Sequence, residues 1–461
     1  MNTWPLFLVI GLFACHPPTS ESRSSSDSSP DILLILADDL GVGDMSWAGG
    51  EARMPCLESL KNQGTELTSF RTFPLCTPTR VALMTGKSPV DLGLLYSPLR
   101  PWDGRGLPAE EVTLAERLQK KGYETALIGK WHLGHEKKSM HPNQQGFQHF
   151  YGFLTGAIDY WSHESRDGGL DWQRNGASLS EKGYATQLFA KEAASWIASA
   201  PKDKPIFLYL PLSAPHIPLQ APPETVEHYQ ALSNKEHQIY CAMIEEMDLA
   251  IAKVLEAAKA RKKETLILFL GDNGPARGHG TSAGNLRGAK GSTFEGGLRV
   301  PAILSFSSKG NLPATFSENT DILDLAATLL AAGSDRSEEL PGRNLLPSLT
   351  TASPLQNRPQ FFAACSPQWT TYAVINRSWK YVLRIHRDNG REKELYYSLI
   401  DDPAEKNNLA ETHKDEVRLL REQLAQWVHR HPGNPDLSFT PDCNGPAPKG
   451  WTPPKDWATY R

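Results

Sequence analysis

The chain has 461 residues, long enough for one large folded unit with a smaller one attached, and its composition is that of an ordinary globular protein. A formal net charge of −4 gives no basic footprint, and the cationic run Arg261-Lys262-Lys263 reads as a helix end. Nucleic acid is therefore not expected as a partner.

Residues 1–15, MNTWPLFLVIGLFAC, are apolar and too short to span a bilayer, so they read as a signal peptide lacking the usual Lys or Arg. Leu12-Phe13-Ala14-Cys15 resembles a bacterial lipobox, in which the cysteine carries the lipid. Residues 16–30, rich in Ser and Pro, suit a tether rather than a core. The expectation is export to the periplasm or cell surface, either with Cys15 lipidated as a membrane anchor or after cleavage of an ordinary signal. Five further cysteines, Cys56, Cys76, Cys241, Cys365 and Cys443, show no CxxC spacing, and an odd number leaves at least one unpaired.

Four apolar runs, Ile32–Leu36, Thr125–Ile128, Ile206–Leu210 and Leu266–Leu270, have the length and composition of buried parallel strands. Helical patterns lie between them: Thr113–Lys121, opening on a Thr113/Glu116 capping box, then Tyr184–Ala200 and Glu236–Lys263. The expected fold is α/β, a large mainly parallel sheet sandwiched by helices and built from residues 31–355. After the Thr320–Ala332 helix the pattern changes. Short alternating strands at Thr371–Ile375, Lys380–Ile385 and Glu394–Leu399, a turn at Asp388-Asn389-Gly390 and a helix at Lys414–His429 predict a C-terminal α+β subdomain over residues 356–461, carrying an antiparallel sheet.

The strand ends hold the chemistry. Asp38-Asp39 and Asp272-Asn273 each follow an apolar run and together offer hard oxygen ligands of the kind calcium or magnesium takes. Lys130 and His132 lie two residues apart, so they share a side if the strand runs through them, and His216 follows a Pro-rich strand exit. In an open α/β sheet, ligands bind beyond the carboxyl ends of strands, which brings these groups to one edge. In Cys76-Thr77-Pro78-Thr79-Arg80, Pro78 suits a first helical turn and places Cys76 and Arg80 on one face, a nucleophile at an anion site. Lys290 sits among glycines that permit close approach of a ligand.

Cys76–Arg80 resembles the Cys-x-Pro-x-Arg element of the type I, formylglycine-dependent sulfatases of the alkaline phosphatase superfamily. Gly122–Gly134, GYETALIGKWHLG, resembles the second signature of that family, and Gly271–Gly274, Glu295–Pro301 and Leu395–Leu409 resemble later elements. Gly146–His163 looks most like the arylsulfatase B branch, although Ala157 and Pro275 depart from its usual residues.

The resemblance implies a sulfatase acting on sulfate monoesters of sulfated saccharides. A formylglycine-generating maturation enzyme would oxidise Cys76, and Asp38, Asp39, Asp272 and Asn273, with the modified Cys76, would hold one Ca2+. Arg80 and Lys130 would steady the nucleophile, while Lys130, His216 and Lys290 would bind the sulfuryl group. His216, with Lys290, would protonate the leaving group, and His132 would act as base for sulfate release. Two other readings stay open: a phosphate or phosphonate monoester hydrolase of the same superfamily, and a non-catalytic surface lipoprotein that binds sulfated glycans. Trp102, Trp161 and Trp172 serve either as sugar platforms or as packing residues.

Overall fold

The computed structural model describes Met1 and residues 29–308, 312–334, 339–433, 436–438, 441–443 and 445–459. The signal-peptide and lipobox expectations, Cys15 included, lie outside them. No helix among the described residues is long and apolar enough to cross a membrane.

The four expected strands form as Asp31–Ala37, Glu124–Lys130, Ile206–Pro211 and Thr265–Gly271. They are adjacent and mutually parallel at the centre of a ten-stranded sheet. Their unbroken apolar runs follow from burial on both faces. Along the first strand Ile32, Leu34 and Leu36 enter one core, and Leu33, Ile35 and Ala37 enter the other. The helices Ala185–Ser199 and Lys235–Ala260 supply Phe189 and Met243 to the second core. The helices Cys76–Thr85, Leu114–Lys120 and Ile322–Ala332 supply Val81, Leu118 and Leu325 to the first.

Helix starts follow local chemistry. Thr113 and Glu116 form the expected reciprocal capping box, Glu116 N–H donating to Thr113 Oγ1 (3.1 Å) and Thr113 N–H to Glu116 Oε2 (2.7 Å). Asn234 caps the long helix by accepting from Glu236 N (2.9 Å) and His237 N (3.2 Å). That helix ends at Ala260, and Arg261 beyond it reaches Asp31 (2.7 Å), fixing the rear of the first strand.

A separate four-stranded antiparallel sheet follows, Gln360–Cys365, Trp369–Asn376, Trp379–His386 and Glu392–Ser398 in simple order, with the Lys414–Val428 helix against it. Tyr372 and Val382 of this sheet join the same core as Ile32 and Val81, so the two sheets share one apolar interior. Cys365 and Cys443 form a disulfide, leaving Cys56, Cys76 and Cys241 as thiols among the described residues.

Candidate active site

Because the four central strands run parallel, their carboxyl ends open on one edge, where Asp38-Asp39, Lys130, His216 and Asp272-Asn273 meet. Asp39, Cys76, His132, His216 and Lys290 line a cavity of about 550 Å³ at that edge. Asp38, Arg80, Lys130, Asp272 and Asn273 are fully buried. The ten residues to which the sequence reading gave catalytic or metal-binding roles therefore belong to one constellation.

Cys76 opens the Cys76–Thr85 helix, whose residues are all buried. Burial pushes its thiol pKa up, so the unmodified side chain is a poor thiolate. One turn on, Arg80 Nη1 donates to Lys130 O (3.1 Å), and Nη2 donates to Asp272 Oδ2 (2.9 Å) and Asp38 Oδ2 (3.3 Å). Lys130 Nζ donates to the same Asp38 oxygen at 2.5 Å. Burial works against the Asp38 carboxylate, but Lys130, His216 and Arg80 prevail and hold its pKa well below the usual range. Asp272 moves the other way, pushed up to about 6 by burial and then by its neighbour Asp38.

Asp39 adopts a left-handed backbone conformation (φ 67°). Its Oδ1 accepts from Asn273 Nδ2 (2.7 Å) and lies 2.6 Å from Lys290 Nζ, and its Oδ2 lies 3.6 Å from His216 Nε2. The cradle leaves oxygens over. Among the described residues Asp38 Oδ1 and Asn273 Oδ1 are buried without a hydrogen-bond partner, and Asp272 Oδ1 accepts the Asp39 N–H alone, at 3.2 Å. Buried oxygens are seldom left unpaired, and two unpaired oxygens beside the carboxylates of Asp39 and Asp272, from two strand ends, fit a hard cation. Asp38, Asp39 and His216 also approach one another closely enough to share an ion, which adds one nitrogen to the candidate donors.

His132 departs from the expected alternation. The strand ends at Lys130, and His132 turns into the left-handed region (φ 60°), although Trp131 and His132 still donate to Phe153 O and Leu154 O. The turn, rather than a two-residue repeat, aims the ring. Its Nε2 contacts Leu99 O at 3.0 Å, and since a carbonyl only accepts, that nitrogen carries the proton. Nδ1 is then a buried lone pair without a partner among the described residues. Burial first, then Lys130 and Arg80, hold the ring pKa far below its ordinary value, so it is neutral. His216 Nδ1 likewise donates to Ile217 O (2.7 Å), and burial and Lys290 push its pKa down to about 4.

Glycines hold the loops together. A Cβ on Gly274 would lie 2.0 Å from Gly296 O, so the loop after Asn273 can rest on the Glu295–Leu298 turn only without side chains there. Sequence reading missed several supports. Thr77 Oγ1 donates to His132 O (3.2 Å) and accepts from Leu99 N (3.0 Å), tying the nucleophile's helix to the base. Tyr160 donates to His216 O (2.8 Å). No periodicity marks a single hydroxyl of this kind. Among the proposed sugar platforms, Trp172 is 1% exposed and stacked on His163, which makes it a packing residue. Trp161 is 43% exposed and packs on Tyr184, Trp102 packs edge-on against Trp451, and none of the three lines the cavity.

A helix-start cysteine over converging cations and spare hard oxygens, at the carboxyl edge of a doubly covered parallel sheet, defines a hydrolase of oxyanion esters. Residues 30–334 match the Sulfatase family model. Arylsulfatase J of Mus musculus is 34% identical over 69% of this chain, which spans 55% of that protein's length. Arylsulfatase A of Bos taurus is 33% identical over 90% of this chain and 87% of its own. The crystal structure of Ps i-CgsB in complex with k-i-k-neocarrahexaose superposes with a TM-score of 0.81 at 28% identity, covering 88% of this chain and 94% of that one. The chain belongs to the sulfatase family of the alkaline phosphatase superfamily, the sulfuric ester hydrolases.

Proposed function

We propose that this protein hydrolyses sulfate monoesters carried on saccharides, using formylglycine made from Cys76 as the nucleophile and one calcium ion. The spare buried oxygens Asp38 Oδ1 and Asn273 Oδ1 carry the reading, because they sit in one constellation with a helix-start cysteine and paired cations. The saccharide class is supported by the oligosaccharide bound to Ps i-CgsB.

Asp38, Asp39, Asp272 and Asn273 would hold the metal. When bound, calcium would act as a Lewis acid and lower the pKa of the attacking hydroxyl. Formylglycine at position 76 would supply, as its hydrate, a nucleophilic hydroxyl and a second ionisable hydroxyl, which a thiol does not offer. Lys130 and Lys290 neutralise charge gathering on the sulfuryl group, and Arg80 fixes the carboxylates and the Lys130 carbonyl. His132, with Nε2–H committed to Leu99 O, presents Nδ1 as the base for the second hydroxyl. His216 is neutral in the unliganded site, whereas Asp39 keeps Lys290 protonated despite its burial. Lys290 thus holds the proton for the leaving alkoxide, and His216 shares that role once an anionic ester occupies the cavity.

In the same reading residues 1–15 direct export, Cys15 carries a lipid, and residues 31–355 and 356–461 form the catalytic and C-terminal parts. Labelling of the wild type with a clickable fatty acid, lost in Cys15→Ala, supports the anchor. Function is tested by expressing the chain with and without a formylglycine-generating enzyme and comparing turnover of an aryl sulfate with that of the aryl phosphate. Sulfate turnover only in the matured form is expected, together with the aldehyde at position 76 by peptide mass. A preference for phosphate would move the protein to the phosphate or phosphonate hydrolases. Glycan binding by fully matured protein without sulfate release would mark a non-catalytic binder.

A further inference from the structure

The mouth of the cavity carries cations that the hydrolytic chemistry leaves unused. Arg100, Arg166 and Arg277 line it from three separate loops. The Arg166 loop is anchored by Arg166 N–H to Ala157 O (2.9 Å), and by the C-terminal segment, where Leu170 N–H donates to Lys455 O and Trp457 Nε1 to Gly168 O (both 2.9 Å). Arg277 follows Pro275, whose carbonyl accepts from Lys290 N (2.9 Å), so its position is tied to the loop of the inner lysine. The guanidinium groups of Arg166 and Arg277 are exposed and have no ion pair or hydrogen bond among the described residues.

Counting Lys290, four cations face two carboxylates around the cavity, Asp39 and Asp167, in a chain whose formal net charge is −4. Asp39 is already committed to Lys290, so Arg166 and Arg277 face Asp167 as the other carboxylate of the lining. A concave wall focuses such a field, and a guanidinium fork matches the oxygens of a carboxylate or sulfate better than a point charge does. The scissile sulfate does not need these groups, since Lys130, Arg80 and Lys290 already gather at the inner end. A cavity of about 550 Å³ is ample for a sugar unit beyond the reacting group.

We infer that Arg166 and Arg277 form a second oxyanion subsite, selecting saccharides that bear another sulfate or a carboxylate beside the one being cleaved. This rests on the hydrolase reading for its setting, and its test is built to stand without turnover. Binding is measured by calorimetry on Cys76→Ala protein, using three matched disaccharides: one monosulfated, one with a second sulfate and one with a uronate carboxylate. At least tenfold tighter binding of one or both dianionic sugars is expected, with the two arms identifying which anion is read. Adding Arg166→Ala or Arg277→Ala should reduce that ratio at least fivefold, and in the matured enzyme the same variants should reduce the kcat/KM ratio, mainly through KM. Equal affinity for all three sugars, or an unchanged ratio in both arginine variants, overturns the subsite. Absence of hydrolysis by the matured wild-type protein, with the binding ratio intact, overturns the hydrolase reading instead.

Discussion

Lys290 Nζ lies 2.6 Å from Asp39 Oδ1 and so ties the loop after the Thr265–Gly271 strand to the end of the Asp31–Ala37 strand. The lysine therefore has two effects of opposite sign on the site. It supplies a cation to the sulfuryl group, and it competes for a carboxylate that would hold calcium. Lys290→Ala should lower kcat on the order of a hundredfold, as loss of one strong electrostatic contact does. The same variant should bind calcium more tightly than the wild type. Parallel kinetics and calcium titration followed by thermal shift check both halves, and weaker calcium binding would contradict the competition.

Removal of the metal should leave Asp38 Oδ1 and Asn273 Oδ1 as uncompensated buried oxygens. Chelated protein should lose activity and melt earlier, and calcium at a hundred times its dissociation constant should return about 2.7 kcal/mol of stability. Asn273→Ala should raise the calcium needed for half-maximal stabilisation. If zinc or manganese stabilised the protein better than calcium, the His216 nitrogen would have to be counted among the ligands.

The choice between an aldehyde hydrate and an ordinary hydroxyl at position 76 can be read from where the reaction stops. A serine there has one oxygen, so it can take the sulfuryl group but has no second hydroxyl from which His132 can remove a proton. Cys76→Ser should lose multiple turnover by at least about a thousandfold, on the scale seen when a nucleophile is removed. Intact-protein mass after incubation with an aryl sulfate should show one added sulfuryl group. Unchanged mass with no turnover would mean that attack itself requires the hydrate.

The strand ends were legible because chemistry-bearing residues followed unbroken apolar runs, and parallel pairing then sent Asp38, Lys130, His216 and Asp272 to one edge without further information. Short outer strands such as Thr65–Leu67, second from the edge, and Thr315–Phe316, at the edge, carry too few residues to show a period, which hid the width of the sheet. The Cys365–Cys443 pair was hidden because an odd cysteine count leaves several pairings open. His132 was found for a reason that did not hold, since no residue pattern announces its positive φ. The outer arginines had no signal at all, because loop residues distant in sequence acquire meaning only when the loops meet.

The same blindness covered a buried charge cluster that joins the four-stranded sheet to the Glu295–Leu298 turn. Lys380 Nζ, on the four-stranded sheet, lies 3.0 Å from Glu295 Oε1 and 2.9 Å from Glu405 Oε1, and Arg71 pairs with Glu295 at 2.7 Å. Glu405 Oε2 accepts from Glu295 N (2.7 Å), and its carbonyl accepts from Arg287 (2.8 Å), which also donates to Tyr397. Burial raises the Glu405 pKa above its ordinary value, Lys380 opposes this and Glu295 adds to it. Lys380→Met removes the opposition, so the carboxyl becomes harder still to ionise in the folded state. A group whose folded pKa is raised gives stability that is complete below its unfolded value, about 4.3, and is lost as pH climbs through the folded value. The variant should therefore be destabilised by about 3–5 kcal/mol at pH 8, the cost of breaking a buried pair, and by clearly less at pH 5. Adding Glu405→Gln removes the ionising group, keeps an acceptor for Glu295 N and should flatten the difference between the two pH values, while Arg71 continues to hold Glu295. Denaturant unfolding of the three proteins at both pH values measures this, and an equal loss for Lys380→Met at pH 5 and pH 8 would show that its contribution is packing rather than charge.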